Sequence, residues 1–264
     1  MTAPAAATPP APEPIRLPLT TKLAMFTRLL AIQGSFNYEI LVGNGIGFCV
    51  EPALRHLPGG VTGEPYRRAL ARQCHYFNAH PYLAAVAVGA LARAELDGAP
   101  PAKIERFRTA LCGPLGSVGD RLVWAGWVPL CSLVALTAFG LGAGPAFVVA
   151  LFLLLYNAGH LALRAWGLRV GLAQGMRVAP SLANPVLRQG PVQIARAAAL
   201  FAGLGVPLAL HRVIGPGQTL LGAVLVAVAV GGVVLARLHG RVEGWRLALA
   251  LLALVVLYSV SVAR

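Results

Sequence analysis

The feature that most limits what this chain can fold into is the run of long, nearly uncharged stretches after Asp120, at residues 122–141, 145–163, 194–210, 219–236 and 245–262. A hydrocarbon core of about 30 Å takes roughly twenty apolar residues in helical conformation. The first two stretches meet that length, and the third meets it once Arg196 snorkels to the interface. Only 12% of the 264 residues are charged and 57% are hydrophobic, with a mean hydropathy of +0.71. The bilayer is therefore the expected solvent, and the expected fold class is an all-α integral membrane protein, a polytopic helical bundle.

The formal charge of +13 points to cytoplasmic loops rather than to nucleic acid. The basic residues stand singly between apolar runs, with no interleaved aromatics to build a base-stacking groove. Arg164, Arg169, Arg177, Arg188 and Arg196 cluster between the second and third stretches, and Arg237, Arg241 and Arg246 between the fourth and fifth. Both connections are expected to be cytoplasmic. The four cysteines show no paired spacing and read as buried free thiols. Residues 1–22 are rich in Pro and Ala, with no apolar run that would serve as a signal peptide core, and are expected to be a disordered tail. On that reading no segment is removed, and the apolar stretches themselves direct the chain to the membrane.

Residues 23–121 follow another pattern. An apolar stretch at 23–32, read as an interfacial helix, leads into QGSFNYEILVGNGIGFCVEPAL, which holds Gln33, Asn37, Glu39, Asn44 and Glu51. Unpaired polar groups in lipid cost several kcal/mol each, so such residues face a cavity, a partner helix or water. A second stretch, 76–92, opens with YFNAHPYLA, where Pro81 removes a backbone donor just after Asn78 and His80. A third, LCGPLGSVGD, brings Gly113, Pro114, Gly116 and Gly119 together before Asp120. Broken or re-entrant hairpins are expected, and interrupted helices of this kind carry the substrate sites of secondary transporters. The segment 93–108 reads as a solvated connection and 65–73 as a basic surface helix. Three parts result: a tail at 1–22, a core with interrupted hairpins at 23–121, and about five transmembrane helices at 122–264.

The candidate substrate-binding or translocation residues are Gln33, Asn37, Glu39, Asn78, His80 and Asp120. A carboxylate in an apolar stretch needs donors, which sugar hydroxyls, a partner helix, an arginine or a helix start would each supply. The amides suit a hydroxyl-rich ligand and suit equally the capping of broken helix ends. His80 with His75 lacks the further ligands a metal needs and the exposure a phosphoryl acceptor needs, which leaves a hydrogen-bonded structural histidine. The glycines of GNGIG do not complete a dinucleotide fingerprint, because the third position holds Phe48; close helix packing accounts for them, as for Gly167, Gly171 and Gly175.

Three motifs, QGSFNYE at 33–39, FNAHPYLA at 77–84 and GPLGSVGDRLVW at 113–124, together resemble in order and spacing the IID subunits of the mannose, fructose and sorbose phosphotransferase permeases. The resemblance includes the Gly47–Phe48 pair, PALRHL at 52–57, and Trp166 and Gly167 with Gly171 and Gly175. It departs at Phe36, where the family has Trp, at Ala79, where it has Thr, and at Arg121, where Pro is frequent. The connection HRVIGPGQ at 211–218 is also shorter than the family's polar outer segment. The resemblance implies a non-catalytic subunit of the bacterial inner membrane that works with a IIC subunit in a hetero-oligomer. Together they translocate a hexose, phosphorylated on the cytoplasmic side through IIA and IIB. No catalytic residue, metal or cofactor is implied. A shortened chain serving as a regulatory or scaffolding partner of phosphotransferase proteins is the alternative.

Overall fold

The computed structural model describes residues 15–214, together with Gly222, Ala229, Val230 and Val233. Apart from those four residues the expected stretch 219–236 lies outside the described residues, as do the stretch 245–262, Arg237, Arg241 and Arg246, and the first fourteen residues of the expected tail. The described chain is helical: α1 (Leu19–Leu29), α2 (Gly43–Leu54), α3 (Glu64–Gln73), α4 (Ala84–Leu96), α5 (Pro101–Gly119), a π-helical segment (Asp120–Trp127), α6 (Val128–Gly140), α7 (Pro145–Gln174), α8 (Ala179–Leu182) and α9 (Pro185–Ile214). Its only extended pairing among the described residues is a pair of isolated bridges, Asn37 with Leu41 and Leu41 with Phe77. Three helical runs, Pro101–Gly140, Pro145–Arg177 and Ala179–Val213, are long and apolar enough to cross a membrane. The chain is an all-α integral membrane protein.

Packing divides it into two units, one of residues 1–128 and 155–194, the other of 129–154 and 195–264. The first unit carries the three motifs. Its helices α2 and α4 have 12 and 13 residues, about 18–20 Å at 1.5 Å per residue, which is too short to cross the hydrocarbon core. Every residue of α4 except Arg93 is buried. Its apolar sequence thus serves a protein interior rather than lipid. The break foreseen at Pro81 is present, for 78–80 are not helical and α4 begins only at Ala84.

Glycine makes the tightest crossing in this unit. A methyl group at Gly171 would meet the Val86 carbonyl, the Ala90 nitrogen and Gly89 Cα, and one at Gly89 would meet the Leu168 carbonyl and Leu172 nitrogen. At Gly167 it would press on Val86 and Ala85. Helices α4 and α7 therefore approach backbone to backbone, the close packing expected of small residues one turn apart. GNGIG behaves alike, with Gly43 against the His75 carbonyl, Gly45 against Ile32 and Gly47 against Cys74.

Three expectations are corrected. LCGPLGSVGD is not an interruption: Pro114 lies inside α5, which runs on through the π segment into α6. The wider π turn shifts the helical register without opening the chain. Residues 93–108 are not merely solvated, since Glu95 and Arg108 are buried. Arg72 grips Glu95 with two bonds (3.0 and 2.7 Å), Gln73 donates to Glu95 Oε1 (2.6 Å), and Arg108 donates to Gln73 Oε1 (2.6 Å) and the His75 carbonyl (2.9 Å). Burying these charges is tolerable because Glu95 is paired with Arg72 and Arg108 is hydrogen-bonded to Gln73 Oε1 and to backbone carbonyls. Finally, Arg164 and Arg169 sit within α7, and Arg188 and Arg196 within α9, rather than in a connecting loop. The helix α1 begins at Leu19, and Leu17 before it is buried, so the expected boundary at residue 22 falls inside α1.

In the second unit α6 and α9 also cross at glycine. Gly140 abuts Leu208 and Ala209, and Gly205 abuts Thr137. Thr137 Oγ1 returns its hydrogen bond to the Leu133 carbonyl at 2.8 Å, which satisfies the hydroxyl within its own helix.

Candidate functional site

The three motifs meet in the first unit. Phe77 N–H donates to the Ile40 carbonyl (3.1 Å) and Val42 N–H to the Phe77 carbonyl (3.1 Å), which ties QGSFNYE to FNAHPYLA. Leu41 takes a positive φ of 52° to make the turn. His80 N–H donates to the Leu115 carbonyl at 3.3 Å, and the His80 side chain lies where a side chain at Gly119 would be. This contact ties FNAHPYLA to GPLGSVGD and gives Gly119 a steric reason for being glycine. The Arg72–Glu95–Gln73–Arg108 network holds 73–76 just upstream, with the Arg108 guanidinium 5.2 Å from the Phe77 ring.

Of the residues singled out from sequence, Gln33, Glu39, Asn78 and Asp120 are exposed. Among the described residues neither Glu39 nor Asp120 forms an ion pair, unlike Glu51, which binds Arg28 and Arg55. Asp120 also sits in the middle of a continuous helix rather than at a helix start. Asn37 caps the turn, with Oδ1 accepting from the Glu39 and Ile40 N–H groups at 3.0 Å each. That bond orients Glu39 outward.

His80 is buried. Its Nδ1 accepts the Tyr82 N–H at 3.2 Å, which leaves the proton on Nε2. This Nε2 donor is buried and has no partner among the described residues. Around it stand rings from three elements. His80 lies 4.9 Å from Tyr82 and 5.0 Å from Trp124, and Tyr82 lies 5.0 Å from His160. Arg164, buried in α7, sits 4.1 Å above the Tyr82 ring and bonds His160 Nδ1 at 2.6 Å. Since arginine only donates, His160 carries its proton on Nε2, which reaches Asn157 Oδ1 at 2.8 Å. The Tyr82 and Tyr156 hydroxyls touch. Beside this cluster lies a cavity of about 390 Å³ lined by Tyr82, Trp127, His160, Trp166 and Asn184 with aliphatic neighbours.

Of the residues singled out from sequence His80 lies in this cluster, and Tyr82, Tyr156, His160 and Arg164 were not singled out as a set. The available signal was Asn157, His160 and Arg164 at helical spacing in an otherwise apolar span, since polar residues inside a span face protein or function rather than lipid.

A family model described as "PTS system mannose/fructose/sorbose family IID component" matches residues 17–202. The chain belongs to this family. It is 34% identical over 168 residues to the fructose permease IID component of Bacillus subtilis (strain 168), covering 61% of this chain and 59% of that protein. To the mannose-specific EIID component of Escherichia coli (strain K12) it is 29% identical over 170 residues, covering 62% and 59%. The chain thus spans about 59% of the length of these relatives. Among solved structures it is similar to a chain of the mannose transporter ManYZ in complex with microcin E492. The TM-score is 0.55 and the identity 25%, over 71% of this chain and 69% of that one. A second membrane protein superposes with TM-score 0.63 and 26% identity, over 72% and 70%. The family match takes in all three motifs and the whole aromatic cluster.

Proposed function

We propose that this chain is the IID subunit of a mannose-family permease in the bacterial inner membrane. With a IIC subunit it carries a hexose inward, where IIB, charged by IIA, phosphorylates the sugar. The observation that carries the reading is the meeting of three motifs, far apart in sequence, around a buried His80 donor that has no partner among the described residues. Ligand sites combine aromatic faces with a few convergent polar groups, and the adjoining cavity, lined by Tyr82, Trp127, His160, Trp166 and Asn184, is of a size for one sugar ring. Glu39 and Asp120 supply acceptors on the exposed side of the same unit, and the chain itself does no chemistry. The interrupted core of residues 23–121 presents the sugar, and the spanning helices serve as scaffold and as the contact with IIC.

The reading is tested by reconstituting the chain with its IIC partner and measuring binding and transport of labelled hexoses beside a known permease. Transport that disappears in Glu39→Ala, with insertion and assembly intact, supports it. Normal assembly with no hexose bound or moved would leave the scaffolding role in its place.

A further inference from the structure

A second cavity in the first unit, of about 670 Å³, lies away from the aromatic cluster, between residues 15–26, Arg93 of α4 and the later turns of α7. Among the described residues its lining holds four cations, Arg16, Lys22, Arg93 and Arg169, and no carboxylate. Arg93 is committed: it donates to the Ile15 carbonyl (2.8 Å) and pairs with Asp97 (2.7 Å), so its task is to hold the chain entering α1 against α4. Arg16, Lys22 and Arg169 are exposed, and among the described residues they form no ion pair. The rest of the wall is apolar, with Leu19, Phe26, Leu168 and Leu172 prominent.

Depth in the bilayer follows from the helices. Counted from Pro145, roughly twenty residues of α7 cross the hydrocarbon core, so Arg169 lies about one turn beyond it, at headgroup level. Helix α1 carries Lys22 beside exposed Leu19 and Leu23, the composition of a helix lying in the interface. Three uncommitted cations around an apolar floor at that depth match a molecule with an anionic head and a greasy tail.

We infer that this cavity binds an anionic phospholipid, with its phosphate on Arg16, Lys22 and Arg169 and an acyl chain along Leu168 and Leu172. Each basic residue near a membrane surface strengthens such binding by about fivefold, so the three together account for about a hundredfold. The lipid would fix α1 against α7 from the membrane side, while Arg93 ties the chain entering α1 to α4 from the protein side.

The test uses the full chain, purified with its membrane partner where the two remain together and stripped of lipid. Binding is followed by thermal shift and native mass spectrometry with phosphatidylglycerol, phosphatidylcholine or inorganic phosphate. Retention and stabilisation by phosphatidylglycerol alone, at least tenfold weaker in the Arg16→Gln, Lys22→Gln, Arg169→Gln triple variant, is the expected result. Equal effects of phosphatidylcholine would reduce the site to an apolar groove, and equal effects of inorganic phosphate would reduce it to an anion site; either overturns the proposal. So does a triple variant that binds like the parent, the outcome if the cations instead receive another protein's carboxylates. Should the triple variant fail to fold, Lys22→Gln and Arg169→Gln singly, both at exposed positions, must each weaken binding about fivefold, and unchanged binding in both contradicts it.

Discussion

Substituting Gly171 with alanine tests the packing that holds the first unit together. In α7 the change gains about 1 kcal/mol of helix propensity. Against this, the new methyl group would stand 2.7 Å from the Ala90 nitrogen and 2.9 Å from Gly89 Cα, and closer still to the Val86 carbonyl. All three are backbone atoms, so no side chain can swing aside, and α4 and α7 must separate by roughly 1 Å. A gap of that order forfeits a quarter to a half of the dispersion energy of each contact across the crossing. Overpacking of this kind costs about 1–3 kcal/mol, which for a domain of this size lowers the melting temperature by about 2–4 °C per kcal/mol. Gly203→Ala in α9 is the control, because a methyl group at that exposed position meets nothing within 4 Å and keeps the propensity gain. Thermal unfolding in one detergent should place Gly171→Ala below the parent and Gly203→Ala at or above it. A Gly171→Ala protein as stable as the control would refute the backbone-to-backbone crossing.

Glu51→Gln should destabilise by about 1–2 kcal/mol, since Glu51 accepts from Arg28 (2.7 Å), Arg55 (2.7 Å) and Tyr66 (2.8 Å). Burial pushes the Glu51 carboxyl up, but these donors outweigh it and hold it below its ordinary 4.5. Its contribution is therefore complete above pH 4.5 and fades as pH falls through the lower folded value, so melting curves of parent and Glu51→Gln should converge in acid. Burial pushes the Cys49 thiol up to about 12, and Cys49 should resist maleimide at neutral pH until the protein unfolds, as read by mass spectrometry after timed labelling. Glu39→Ala and Asp120→Asn, at exposed positions with no ion pair among the described residues, should leave the unfolding free energy within about 0.5 kcal/mol of the parent while abolishing sugar uptake.

Much of this was legible in the sequence because it rests on local rules. Gly167 and Gly171 one turn apart announce a close crossing, though not that α4 is the partner, and Pro81 falls in the non-helical entry to α4, whereas Pro114 is carried inside α5. Hydrophobic length located the helices containing 122–141, 145–163 and 194–210, yet underestimated α7 and α9, whose arginines were assigned to a loop. Arg164 shows why: its position in α7 is made tolerable by the Tyr82 ring and His160, and Tyr82 is more than seventy residues away along the chain. Glu95 and Arg108 were obscured in the same way, since their mutual charge pattern resembles a solvated linker until Arg72 and Gln73 arrive from α3. The π segment at Asp120–Trp127 has no sequence mark beyond glycine and proline, which also fit a break.

The central claim is that the chain works with a IIC subunit to move a hexose, and the most direct measurement joins both halves. Tagged protein is purified from native membranes, and uptake of labelled mannose and related hexoses is compared in cells with and without the chain. The account predicts that IIC is recovered and that uptake depends on the chain. Recovery of a complex with no chain-dependent uptake of any hexose would contradict it.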